Sequence, residues 1–234
     1  TEAGNDVPEA WDWRNKGGVS PVKDQGNAAH AGHFPLLVAL ERQPDLNGVL
    51  ETYAEQQLVD CAGDFDNNGC NGGLPSHAFE YLFYAGGIET EADYPYTAVD
   101  GTCVADSSKF ALSVGHAMNI TEGDEVELKK LSTNSQSLLL SRSSMTSVDT
   151  QVVLHLDYLL EWPADVNHAV LAVGYGNDSD SGLDYWIVKN SWGTSWGDNG
   201  FFKIERGVNM CGIAECNSYP ETVAEISSAF NFWQ

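Results

Sequence analysis

Residues 166–176 read VNHAVLAVGYG, and the chain continues with YWIVK at 185–189 and FFKIE at 201–205. These runs are short, apolar or alternating, and they are separated by GNDSDSG (176–182) and GDNG (197–200), which are rich in turn-forming residues. That pattern predicts strands over 169–175, 185–189 and 201–205, joined antiparallel by short turns. Upstream the character changes. Apolar residues fall at helical spacing over 31–42, 51–59 and 76–84, with Ser76 placed to cap the third helix after Leu74-Pro75. Helices first and strands later indicate an α+β protein or two packed domains, with a cleft between them as the usual place for a site. The expected division is a mainly helical part over 1–115, a β-rich part over 116–220 and an extension over 221–234. There is no internal repeat and no low-complexity tract.

With 234 residues the chain can bury one large core or two smaller ones that share an interface. No apolar run approaches the roughly 18 residues that a membrane span needs, so no membrane partner is expected. The 11 basic residues are outnumbered by 34 acidic ones, leaving a net charge of −23. Nucleic acid and anionic surfaces would be repelled, and an acidic compartment would relieve the self-repulsion. The chain starts at Thr1 without a charged and then apolar leader, so any signal or propeptide is expected to have been removed already. Two sequons, Asn119-Ile120-Thr121 and Asn177-Asp178-Ser179, make Asn119 and Asn177 glycosylation candidates of a secreted or luminal protein. The five cysteines, Cys61, Cys70, Cys103, Cys211 and Cys216, are odd in number, so at least one is unpaired or bonded elsewhere.

Four stretches carry the chemistry: PVKDQG (21–26), GCNGG (69–73), VNHAVLAVGYG (166–176) and KNSWGTSWGDNGFFKI (189–204). With VPEAWDWR, EQQLVDC, YPYTAVDGTC and NMCGIAECNSYP in support, the chain from Val7 to Pro220 resembles the papain-like cysteine peptidases, and most closely their cathepsin H and aleurain branch. The resemblance implies a two-domain fold, a helical left domain and an antiparallel, barrel-like right domain, with the site in the cleft between them. It implies His168 as acid/base, Asn190 as the group that orients its ring, Gln25 as an oxyanion donor, and Trp192 as a shield for the His168–Asn190 bond. Gly72 and Gly73 would bind extended peptide through bare backbone. Leu74, Pro75, Asn167, Ala169 and Cys216 would line the substrate side, with Cys216 as a pocket thiol. Cys61–Cys103 is the disulfide the resemblance supports. It implies no cofactor, a monomer, peptide or protein substrates or inhibitors as partners, and a secreted or lysosomal/vacuolar location.

The nucleophile departs from this pattern. Registering on Gln25-Gly26 and on Ala39-Leu40-Glu41 puts the nucleophile position at Ala31 and a framework cysteine position at Ala28. His168 and Asn190 follow Ala31 by 137 and 159 residues, against the roughly 130–150 of the family signature. Alanine cannot form an acyl-enzyme, and losing the nucleophile of a coupled triad costs about 10⁶ in rate. His30 and His33, with His168, would be three ligand-type side chains, but no carboxylate completes a set and no metal is expected. The usual partners of Cys70 and Cys211 are absent, and Pro35 falls inside the expected nucleophile helix. Residues 27–53 and 131–165 leave the family pattern together. Three readings follow: a peptidase whose source protein differs from the written stretch 27–35, a pseudoenzyme holding peptides or a propeptide-like inhibitor, or an engineered inactive chain.

Overall fold

The computed structural model describes residues 7–26, 51–133, 168–215 and 217–222, with 137–141 described by its backbone pairing. Its elements are β1 (Trp11–Asp12), α1 (Glu55–Cys61), α2 (Pro75–Ala85), β2 (Val114–Asn119), α3 (Glu125–Ser132), β3 (Ser137–Ser141), β4 (His168–Asn177), β5 (Asp184–Lys189), β6 (Phe201–Glu205) and β7 (Ser218–Thr222). The helices precede most of the sheet, as an α+β fold requires. The described strands run in the order β2-β7-β3-β4-β5-β6, with β1 paired to β4, and every pairing is antiparallel.

β4 is the spine. Its residues from Ala169 to Gly176 are buried on both faces, which explains an apolar run where a half-exposed strand would alternate. Val170 and Ala172 point into a cluster with Leu128, Trp186, Val188, Phe202 and Ile204, while Leu171 and Val173 join Ile187 on the opposite face. A bulge between Ala172 and Gly174 shifts the register against β5, and the Val173 carbonyl instead accepts from Trp13 N–H at 2.9 Å. A second core gathers Tyr53, Leu58, Phe79, Leu82, Ile88 and Val114 around α1 and α2. Cys61 and Cys103 are joined by a disulfide that staples the end of α1 to the loop after α2.

Two helix boundaries differ from expectation. The helix predicted over 51–59 begins at Glu55. Thr52, Tyr53 and Ala54 spend their backbone groups on the 89–91 segment, through Glu91 N–H to Thr52, Ala54 N–H to Glu89, and a Tyr53–Thr90 bridge. Ser76 is not a cap. α2 starts at Pro75, because proline's fixed φ suits the first helical position, and Leu74 is the extended N-cap residue. The helix stops at Gly86, whose φ of 92° lets its N–H close on Leu82. The expected helix over 31–42, with Pro35 inside it, lies outside the described residues.

The strands β1, β2, β3 and β7 and the helix α3 have no counterpart in the sequence expectation. Asp124 caps α3 by accepting Glu127 N–H at 2.8 Å, Glu125 and Glu127 fill its first turn, and Lys129 and Lys130 its last, all in the sense the helix dipole favours. The expected boundary between residues 115 and 116 falls inside β2.

Candidate active site

The loop before Gly26 and the start of β4 are brought together by the turn after β5. Gln25 donates its backbone N–H to Ser191 at 3.0 Å, Gly193 N–H returns to Lys23 at 3.1 Å, and Asp24 bridges Trp192. One position earlier, the Lys189 ammonium is buried and donates to the Ser20 carbonyl (2.8 Å), the Ser20 hydroxyl (3.0 Å) and the Pro21 carbonyl (3.0 Å). A desolvated ammonium with oxygen acceptors around it ties β5 to the segment that leads to Gln25. Beneath that segment, Lys23 is also ion-paired with the buried Glu55 at the start of α1.

His168 opens β4, and its Nε2 lies 2.8 Å from Asn190 Oδ1. The same oxygen accepts Ser191 N–H at 2.8 Å, which fixes it as the amide oxygen. An oxygen that can only accept requires His168 to carry its proton on Nε2, so Nδ1 is the nitrogen left to exchange a proton with a reacting group. The imidazole stacks on Trp192 at 4.7 Å between centroids, and Trp192 meets Trp196 edge-on, which meets Phe202 edge-on in turn. Asn190 is 2% exposed. Burial pushes the His168 pKa below its usual value, while the bond to Asn190 opposes that fall.

Gln25 is 4% exposed and its Oε1 accepts from the Ser191 hydroxyl at 2.6 Å, which holds the amide in one orientation. Ser191 was not singled out from the sequence, although it stands inside the quoted KNSWG stretch; its role depends on a long-range contact with residue 25. Tyr96, whose hydroxyl reaches the Gln25 carbonyl at 3.4 Å, was likewise not singled out, because nothing local marks it.

The other expected site residues are dispersed. Gly72 follows a short 3-10 turn with φ 85° and ψ −174°, a conformation open to glycine and little else. Gly73 comes next, where a Cβ would fall 1.9 Å from Asn67 Oδ1. Leu74 is exposed and Ala169 is buried in β4. Asn119 is exposed on β2. The Asn177 amide donates to the Gly182 carbonyl and to Asp184. Cys70 carries a free, half-buried thiol whose pKa is raised by burial and then by Asp100. Cys211 is buried. Ala28, His30, Ala31, His33, Asn167 and Cys216 lie outside the described residues.

An imidazole oriented by an amide, shielded by an indole and set beside a second, fixed amide is the kind of centre that handles protons and carbonyl oxygens in acyl transfer. The comparisons agree with it. Residues 7–221 match the model of the papain family cysteine proteases, and the chain belongs to that family. It is 47% identical over 227 residues to a thiol protease aleurain-like protein of Arabidopsis thaliana, covering 92% of this chain and 60% of the relative. It is 46% identical over 217 residues to pro-cathepsin H of Mus musculus, covering 91% and 65%. The chain thus spans about three fifths of the length of the curated relatives it matches. Among solved structures, procathepsin L2 proteinase from Tenebrio molitor larval midgut superposes with a TM-score of 0.80 at 37% identity, covering 91% of this chain and 68% of that one. The papain-like fold and the likeness to the aleurain and cathepsin H branch are therefore established.

Proposed function

We propose that the chain carries the acid/base and oxyanion parts of a thiol peptidase and that residue 31 alone decides whether it cleaves peptides or only holds them. The observation that supports this reading is the His168–Asn190 pair, fixed in the Nε2–H tautomer and stacked on Trp192, next to a Gln25 amide aligned by Ser191. With cysteine at 31, His168 Nδ1 would take the thiol proton and later protonate the leaving amine, and the Gln25 amide would donate to the developing oxyanion. With Ala31 no acyl-enzyme forms. Gly72 and Gly73 would offer extended peptide their backbone, with Leu74 and Ala169 beside its side chains and Asn167 and Cys216 in the roles the resemblance implies, and a bound peptide or propeptide-like inhibitor would stay intact.

The pseudoenzyme reading has an observation of its own. Cys70 is a free thiol, as expected where the residue at its usual partner position is Ala28. We place the chain as a monomer in a secreted or lysosomal/vacuolar lumen. We divide the chain into a helical part over 1–115 and a β-rich part over 116–220, with Val7, Trp11 and Val19 of the first packed against the β core.

Intact mass, peptide mapping of 19–43 and labelling with a thiol-directed epoxide test the reading. A clean Ala31 with measurable peptide binding and no turnover is expected, together with hydrolysis gained by Ala31→Cys, up to about 10⁶-fold. Turnover by the Ala31 chain, or an inert Ala31→Cys variant that still binds peptide, would overturn it.

A further inference from the structure

The loops over 89–109 and α1 line a pocket of about 390 Å³. Gln56, Asp60, Glu89, Tyr94, Thr97 and Lys109 are among its lining residues. Most of these polar groups are committed to one another. Gln56 donates to Asp60 and to the Val99 carbonyl and accepts Thr97 N–H. Asp60 also accepts Gly101 N–H on one oxygen and the Tyr94 hydroxyl on the other, at 2.8 Å each. Tyr94, pushed up to about 12 by burial and then by Asp60, remains a donor throughout the usual pH range.

Glu89 is the exception. It is 2% exposed, and its Oε1 accepts Asp106 N–H at 2.7 Å. No other side-chain bond or ion pair reaches it from the described residues, although it lines the cavity. Its Oε2 has no partner among the described residues and keeps access to the pocket, where a cation can pair with it. Lys109, on the same cavity, forms no ion pair with it. A single open oxygen suits a compact ammonium with rotatable donors better than a planar guanidinium, which needs two parallel acceptors. Asp93, also on the wall and exposed, adds charge of the same sign.

We propose that this cavity is a binding site for a primary alkylammonium group, a lysine side chain or a polyamine end, which enters beside Lys109 and pairs with Glu89 Oε2. The site is independent of residue 31 and of the reading given for the cleft. Calorimetric titration of the full chain at low salt with n-butylammonium, N-acetyl-lysine amide and spermidine tests it. Saturable one-to-one binding is expected, weakened about tenfold by Glu89→Gln, which keeps the Asp106 contact, and strengthened by Lys109→Met, which removes a competing cation. Tightest binding of the lysine amide would identify a protein side chain as the ligand, and binding of spermidine alone a free polyamine. Tetramethylammonium, of equal charge but with no N–H, should not saturate. No saturable binding, equal binding by a folded Glu89→Gln variant, or equal binding of tetramethylammonium would overturn the proposal; the last would mark diffuse attraction to a chain of net charge −23. If Glu89→Gln does not fold, Lys109→Met carries the test, and unchanged or weaker binding there overturns it.

Discussion

At the scale of single residues, Asn190 Oδ1 holds two donors, His168 Nε2–H and Ser191 N–H, so one side chain fixes both a tautomer and a turn. Burial lowers the His168 pKa and the Asn190 bond partly restores it. A histidine depressed below its unfolded value of about 6.5 favours the neutral ring in the folded state. Its contribution to stability is then full above about 6.5 and is lost as pH falls through the folded value. The His168 ring signals followed by NMR should titrate below 6.5, and Asn190→Ala should move the midpoint lower still. In Ala31→Cys the midpoint should rise, since a thiolate would favour the imidazolium. A midpoint above 6.5 in the Ala31 chain would show that an anion already faces the ring. The residue identities at Gln25, His168 and Asn190 could be read from motifs. Their mutual geometry could not, because Ser191 and Tyr96 reach Gln25 from positions more than seventy residues along the chain.

At the scale of elements, β4, β5 and β6 were legible because β5 and β6 carry their own turn formers and β4 its apolar run, whereas β2, β3 and β7 carry no such signal. α3 was not legible either, although EVELKK has good helix formers. Its anchor is long-range: Glu125 accepts Trp186 Nε1–H, Gly207 N–H and Asn209 N–H, pinning the helix start to β5 and to the turn after β6. Glu125→Ala leaves those donors unmet and should cost about 3 kcal/mol in urea denaturation. A loss within 0.5 kcal/mol would mean that water replaces the carboxylate. The start of α1 was misjudged for a related reason: Tyr53 has the propensity for either state, and pairing with Thr90 decides for the extended one. At Gly72 the backbone itself is selective, so Gly72→Ala should cost about 1–3 kcal/mol of stability, read by melting.

Across the whole molecule, two cores share one chain of strong negative charge. The Cys61–Cys103 link closes a loop of 42 residues within the helical core, and a Cys61→Ala, Cys103→Ala variant should lose about 2–4 kcal/mol. An unchanged melting point would mean that the α1–α2 core needs no staple. Because self-repulsion acts through solvent and is screened over about 10 Å at 0.1 M salt, added salt should raise the melting temperature of the parent chain.

The buried Lys189 ammonium gives these scales a common consequence. By fastening the end of β5, next to Asn190, to Ser20 and Pro21, a few residues before Gln25, it acts as a clasp: the two segments cannot part there without stripping a charge of its acceptors. The spacing of Asn190 and Gln25 is therefore set by a buried charge and not by the turns that carry them.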